Sequence, residues 1–173
     1  MNKVYIATSL DGFIADKEGK LAWLIGFPNP ENTDYGYEEF MNTVDAIIMG
    51  RGTFDTVKDF TPWPYDKPVF VLSHTLKTIP VELMGKVHLI SGSPNEITNQ
   101  VNLMGYQNPY IDGGKTIQRF LENNLIDELT VSKIPILLGG GIPLFAELSN
   151  TIQLTHKKTE VFSNGVVKST YIR

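Results

Sequence analysis

The sequence predicts an α/β fold: a central, mainly parallel mixed sheet, helices on both faces, and an antiparallel hairpin at the C-terminal end. Three observations carry this. Short continuous apolar runs such as Ala46-Ile47-Ile48-Met49 and Val69-Phe70-Val71-Leu72 have the length and composition of strands buried on both faces. Stretches with helical spacing or helix-start residues follow them, and such alternation implies parallel strands whose ligands bind outside their carboxyl ends. Finally, Ser163-Asn164-Gly165-Val166 lies between alternating runs and is the strongest short hairpin signal in the chain.

In order, Val4-Tyr5-Ile6-Ala7 reads as a buried strand, followed by the loop Ser9-Leu10-Asp11-Gly12-Phe13-Ile14-Ala15, whose apolar anchors make it pack. Pro28, Pro30 and Asn32 break the chain before residues 34–44, where apolar positions 37, 40, 41 and 44 predict a helix with Asp34 in its first turn. The strand 46–49 runs into Gly50-Arg51-Gly52-Thr53-Phe54, a turn into a helix start. Val69–Leu72 ends in Ser73-His74-Thr75, and Val87-His88-Leu89-Ile90 ends in Ser91-Gly92-Ser93-Pro94. Pro109-Tyr110-Ile111 ends in Asp112-Gly113-Gly114-Lys115 and opens a helix with Ile117, Phe120 and Leu121 on one face. Leu129-Thr130-Val131 continues the sheet before the final hairpin.

Composition narrows the function. The 173 residues, 42% hydrophobic and 20% charged, suit one self-folding domain over 1–173 without a visible boundary or repeat. Fifteen Lys and Arg against nineteen Asp and Glu leave a net charge of −4, so no global field recruits nucleic acid or anionic membranes, and any anion site must be local. With no cysteine, disulfides, thiolate zinc sites and a cysteine nucleophile are excluded. His74, His88 and His156 are too far apart for a compact ligand pair, so no metal is expected. The run Val4 to Leu10 is too short for a signal peptide, and no stretch approaches the roughly 20 apolar residues of a membrane span, so a cytoplasmic location is expected.

Backbone amides at a strand-to-helix turn point outward together and hold phosphate when no side chain blocks the approach. Gly50-Arg51-Gly52-Thr53 and Asp112-Gly113-Gly114-Lys115-Thr116 are two such turns, enough for a dinucleotide; the alternative is that the glycines serve tight turns alone. Neither common nucleotide motif applies. A phosphate-binding loop needs glycine where Pro109 stands, and neither junction has the Gly-x-Gly-x-x-Gly spacing.

The ordered set Ser9–Ala15, Ile48–Phe54, Val71–Ser73, Ile111–Gly114 and Pro135–Gly141 resembles the dihydrofolate reductase fold, and within it the reductase domain of the riboflavin-biosynthesis deaminase-reductase, the RibD C-terminal type. The likeness spans nearly the whole chain and implies a three-layer NADPH-dependent reductase acting on a small heterocycle. It implies that Gly50, Arg51, Thr53, Ser73 with His74, and Gly113, Gly114, Lys115 and Thr116 hold the cofactor, with Ala7 beside the nicotinamide. An arginine fork suits a 2′-phosphate, favouring NADPH over NADH. Ser73 with His74 would otherwise only cap a turn.

Dihydrofolate reductases carry an acidic residue in the helix before the Met-Gly-Arg strand, and counting back from Gly50 without gaps lands on Asp34. A partly buried carboxyl there would have a raised pKa and assist protonation of a pterin or pyrimidine; the competing reading is a helix N-cap. The segment Ser132-Lys133 through Leu144-Phe145 follows the riboflavin-type pattern instead, which argues against folate. Lys133 and the Gly139–Gly141 loop would contact a polar or phosphorylated substrate, or form only a turn; Phe13 and Trp23 would wall the pocket or fill core. The zinc deaminase domain is absent, so the reductase is expected to stand alone, and the related reductases are consistent with a homodimer. Dihydrofolate reduction and non-catalytic NADPH binding are the rival functions.

Overall fold

In the computed structural model, which describes residues 1–145 and 147–173, ten strands and five α-helices follow one another among the described residues, with one 3-10 turn at Val81–Leu83. Their order is β1 (Lys3–Ser9), β2 (Phe13–Ala15), α1 (Ala22–Ile25), α2 (Tyr37–Met41), β3 (Ala46–Gly50), α3 (Arg51–Val57), β4 (Val69–Leu72), β5 (Val87–Ile90), α4 (Pro94–Leu103), β6 (Pro109–Asp112), α5 (Gly114–Glu122), β7 (Glu128–Ile134), β8 (Ile142–Pro143), β9 (Thr155–Val161) and β10 (Val167–Ile172). Eight strands form one sheet in the order β5-β4-β3-β6-β1-β7-β10-β9. The first six are parallel to one another; β10 runs antiparallel to both β7 and β9. The expected architecture is therefore present, including the hairpin, where Gly165 takes a left-handed φ of 86°.

Alternation along each strand sends side chains into two separate cores. On one face Ile48, Phe70, Ile111 and Leu129 meet Ile97 and Val101 of α4 and Ile117, Phe120 and Leu121 of α5. On the other, Ile47, Met49, Val69, Val71 and Tyr110 meet Phe40 of α2 and Phe54 of α3. Residues 46–49 are all fully buried, which is why that strand reads as an unbroken apolar run. One element differs from expectation. The helix predicted over 34–44 is only α2, five residues long, because Asp34 lies in the loop before it and left-handed Gly36 starts it. Helix α4, unassigned from sequence, starts with a capping box of Ser93 and Glu96 and buries Pro94, Ile97 and Val101.

The two central strands do not pair along their length. β1 pairs with β7 at every residue from Lys3↔Glu128 to Ser9↔Ile134, but with β6 only at Lys3↔Tyr110. Past that point the Tyr110 hydroxyl donates to the Tyr5 carbonyl at 2.8 Å, supplying a donor where the ladder has stopped. This break lies beside the place where the chain order reverses, the usual position of a ligand crevice in open α/β sheets.

The turns leaving β3 and β6 pack against each other. A Cβ on Gly113 would overlap the Thr53 hydroxyl, and one on Gly50 would lie 2.9 Å from the Thr116 hydroxyl. Gly113 also has φ 88°, a region costly for side-chain-bearing residues. Gly113→Ala should therefore lower the unfolding free energy by about 2–4 kcal/mol, the sum of backbone strain and overpacking, read from the urea midpoint at constant slope.

Candidate active site

The starts of α3 and α5 come together at the carboxyl edge of the sheet. Neither Gly50 nor Gly113 supplies a side-chain cap, so the first-turn amides of both helices lack a capping acceptor, whereas Ser93 and Glu96 occupy those of α4. Gly50, Gly113 and Gly114 are small because neighbours press on them: Thr116, Thr53 and Ile14 respectively. Gly52 differs, since a Cβ there would meet nothing within 4 Å. The glycines thus serve first to bring the two turns into contact, and the open approach is over Gly52.

Arg51 links this pair of turns to the end of β4. Its Nη1 donates to the Thr75 hydroxyl at 2.8 Å and its Nε to Asp55 Oδ2 at 3.2 Å, and Lys58 pairs with the other Asp55 oxygen at 3.2 Å. The Ser73 hydroxyl accepts the Thr75 and Leu76 amides at 3.2 and 2.9 Å, which folds the loop toward Arg51. Gly50, Arg51, Thr53, Ser73, Gly113, Gly114, Lys115 and Thr116 therefore gather along one edge. Within that set Arg51 and Lys115 are exposed, as is His74 beside Ser73, while Thr116 is buried against Gly50. Ala7 lies on β1 across the break in the ladder, on the sheet face shared by Tyr5 and Tyr110.

Asp112 ends β6 on that same face. It is enclosed by protein but keeps some accessible surface, and its Oδ1 accepts the Gly113 amide at 2.8 Å. Burial pushes its carboxyl above the ordinary 3.8, against the opposing pull of the Gly113 amide and the Tyr110 hydroxyl. The phenols of Tyr37, Tyr65 and Tyr110 surround it, and burial raises Tyr37 to about 12 and raises the other two as well, so all three stay neutral. Trp63 packs edge-on to Tyr65 at 5.2 Å. Sequence reading took Asp112 only as a turn residue. The available signal was a carboxyl closing a buried parallel strand one residue before a Gly-Gly turn; its tyrosine surroundings come from remote segments.

Asp34 does not fit the role of proton donor. Its two oxygens accept the amides of Gly36 at 2.8 Å and Glu38 at 2.9 Å, its side chain is exposed, and these amides hold its carboxyl below the usual value. The raised pKa expected of it is replaced by a lowered one, and capping of α2 is its observed work. Lys133 is exposed, and alternation sets it on the sheet face opposite Ala7 and Asp112. Phe13 and Trp23 are half-buried and belong to neither core, and the Trp23 indole N–H is buried without a partner. Phe13 and Ala15 pair with Pro143 and Ile142, so β2 and β8 make a small flap whose Ile14 abuts Gly114.

The glycine-rich loop is already engaged by an internal anion. Asp11 accepts the amides of Leu138 at 3.1 Å and Gly139 at 2.8 Å and the Ser9 hydroxyl at 2.6 Å, and the Ser9 contact above all lowers its pKa. Those donors tie the start of the Gly139–Gly141 segment to the Ser9–Asp11 turn.

Comparison with known proteins agrees with this architecture. The RibD C-terminal domain pattern matches residues 104–168. Protein YwjB of Bacillus subtilis, itself uncharacterised, is 37% identical over 166 residues, 94% of this chain and 92% of its own. A Shewanella sp. PV-4 protein assigned to riboflavin biosynthesis superposes with TM-score 0.94 and 49% identity, covering 99% of this chain and 98% of that one. The dihydrofolate reductase of Enterococcus faecalis, solved with NADP(H), shares the fold at TM-score 0.66 and 19% identity, covering 100% and 96%. With its dihydrofolate reductase-like fold, the chain belongs to the RibD C-terminal domain family.

Proposed function

We propose that this protein is an NADPH-dependent reductase that transfers hydride to a small heterocycle, most like 5-amino-6-(5-phosphoribosylamino)uracil reductase. The observation that carries the reading is the meeting of two uncapped helix starts and the Arg51–Thr75 pair at one sheet edge, next to a carboxyl that burial keeps protonated more readily. The residues suit the cofactor chemically. Unpaired first-turn amides of α5 accept a diphosphate, and the open side of Gly52 admits it. The exposed Arg51 guanidinium, held by Thr75 and Asp55, offers the planar fork a 2′-phosphate needs.

When bound, NADPH supplies the hydride. The chain supplies orientation and the proton. With Oδ1 of Asp112 taken by the Gly113 amide, Oδ2 is the atom that holds the proton. As hydride reaches the carbon of the substrate's C=N bond, the Asp112 O–H bond breaks and an N–H bond forms, and solvent then reprotonates the carboxylate. Burial among Tyr37, Tyr65 and Tyr110 raises that acid's pKa and so favours its protonated form, although the Tyr110 hydroxyl itself pulls the other way. Ala7, small and across the ladder break, leaves room for the flat nicotinamide.

NADPH oxidation assayed with the ribosylaminopyrimidinone and with dihydrofolate tests the reading. Turnover with the pyrimidinone supports it; faster turnover with dihydrofolate, or NADPH binding without oxidation by either, overturns it. Arg51→Ala should weaken NADPH by about 1.5–3 kcal/mol, the scale of a charge-assisted hydrogen bond, and leave NADH nearly unchanged in a fluorescence titration.

Asp112→Asn should cost about 10²–10⁴-fold in turnover and remove the alkaline limb of the pH–rate profile, since the protonated form is the active one. Linkage gives a second readout. The folded state binds this proton more tightly than the unfolded chain, whose value is 3.8, so the group's contribution to stability is complete below that value and lost as pH rises through the raised folded value. Urea midpoints of the wild type should fall across that window relative to those of Asp112→Asn.

A further inference from the structure

Residues 28–36 have no regular structure of their own and form the approach to α2. Two of them, Asn32 and Tyr35, hold left-handed φ values of 50° and 56° without being glycine, the latter uncommon for a bulky residue. The loop has its own Asn29–Thr33 hydrogen bonds, and further contacts to Pro28, Glu31 and Tyr35 come from the turn and second strand of the C-terminal hairpin. Asn164 Nδ2 donates to the Pro28 carbonyl at 2.9 Å and to the Tyr35 hydroxyl at 2.7 Å, and the Ser163 hydroxyl donates to Glu31 at 2.6 Å. The Phe162 ring packs edge-on to Tyr35 at 4.9 Å.

Lys168 completes the connection from β10. Only 8% exposed, it donates to the Tyr35 carbonyl at 2.7 Å, pairs with Glu160 at 2.7 Å and lies 5.6 Å from the centre of the Phe162 ring. The Tyr35 carbonyl takes a second donor, the Tyr5 hydroxyl, at 2.8 Å. Immediately after it comes Gly36, where a Cβ would lie 2.7 Å from Lys168 Nζ, and then Tyr37, one of the phenols facing Asp112, whose ring lies 5.6 Å from Tyr5. A buried cation more than 130 residues away in sequence thus sets the backbone on which Tyr37 stands.

We infer that the C-terminal hairpin is a positioning clamp for the substrate: Asn164 and Lys168 fix residues 28–36, and through them the Tyr37 wall beside Asp112, without touching substrate or cofactor. The catalytic part of this inference rests on the proposed reductase function; the clamping itself does not. It separates the two halves of the site. The cofactor edge is built from α3, α5 and the β4 loop, none of which the hairpin turn contacts through these bonds, so loosening the clamp should alter heterocycle fit alone.

The test uses the full chain with NADPH and the variants Asn164→Ala, Lys168→Met and Lys168→Arg, with Asn164→Ala at the exposed turn guarding against a Lys168→Met variant that does not fold. Two readouts are taken: heterocycle KM against NADPH Kd, and hydrogen–deuterium exchange of residues 28–37 in the free protein. The clamp predicts that Asn164→Ala and Lys168→Met raise KM about tenfold, equivalent to about 1.4 kcal/mol, while NADPH Kd stays within about twofold. It also predicts faster exchange confined to 28–37, and recovery of both readouts in Lys168→Arg. Unchanged exchange would overturn the clamp; faster exchange with unchanged KM would reduce it to a structural tie. If the wild type turns over no heterocycle, the reductase reading fails by itself, and exchange still decides whether the clamp exists.

Discussion

The contact between Gly113 and Thr53 is the constraint on which the rest of this molecule depends. Two strand-to-helix turns can touch only where one of them lacks a side chain, and that contact fixes the start of α5 against the start of α3. With α5 so placed, its free amides face the carboxyl edge of the sheet, and Asp112, one residue earlier, is carried into the tyrosine-lined interior. The same residue pair thus sets an anion-accepting edge and a proton-holding group side by side, the two elements a hydride-transfer site has to combine.

Electrostatically the site is divided. Cationic and hydroxyl groups, Arg51 with Thr75 and Ser73, lie at the β3 and β4 ends, while neutral phenols and an acid whose pKa burial raises occupy the β6 end. A long ligand with phosphates at one end and a flat uncharged ring at the other matches that gradient. Two effects compete at the carboxylates here: burial dominates and raises Asp112, while backbone and hydroxyl donors dominate and lower Asp34 and Asp11, which are exposed and engaged in holding loops. The difference lies in what each oxygen finds around it: Asp112 is enclosed by protein, whereas the oxygens of Asp34 and Asp11 accept backbone amides that fasten loops.

Local chemistry in the chain was enough to identify the buried strands, since unbroken apolar runs such as 46–49 need cover on both faces, and the glycine turns that follow them. The Asn164-Gly165 hairpin was equally legible because its turn type depends on two adjacent residues. What could not be read was the insertion of β6 between β3 and β1, a non-local pairing, and hence the break beside Tyr5. Asp112 escaped notice for the same reason, because Tyr37 and Tyr65 approach it from other segments. Asp34 was placed by counting from Gly50, whereas its capping geometry was already written in the Asp34–Gly36 spacing. The flap was half visible: Ser9–Ala15 read as a packing loop, but its partner across Asp11 lies more than 120 residues away.

A crystal structure of the protein with NADPH tests the account most directly. The account predicts the diphosphate on the first-turn amides of α5, the 2′-phosphate at Arg51 and Thr75, and the nicotinamide between Ala7 and Asp112. A cofactor bound elsewhere, or bound at this edge with its nicotinamide turned away from Asp112, would contradict it.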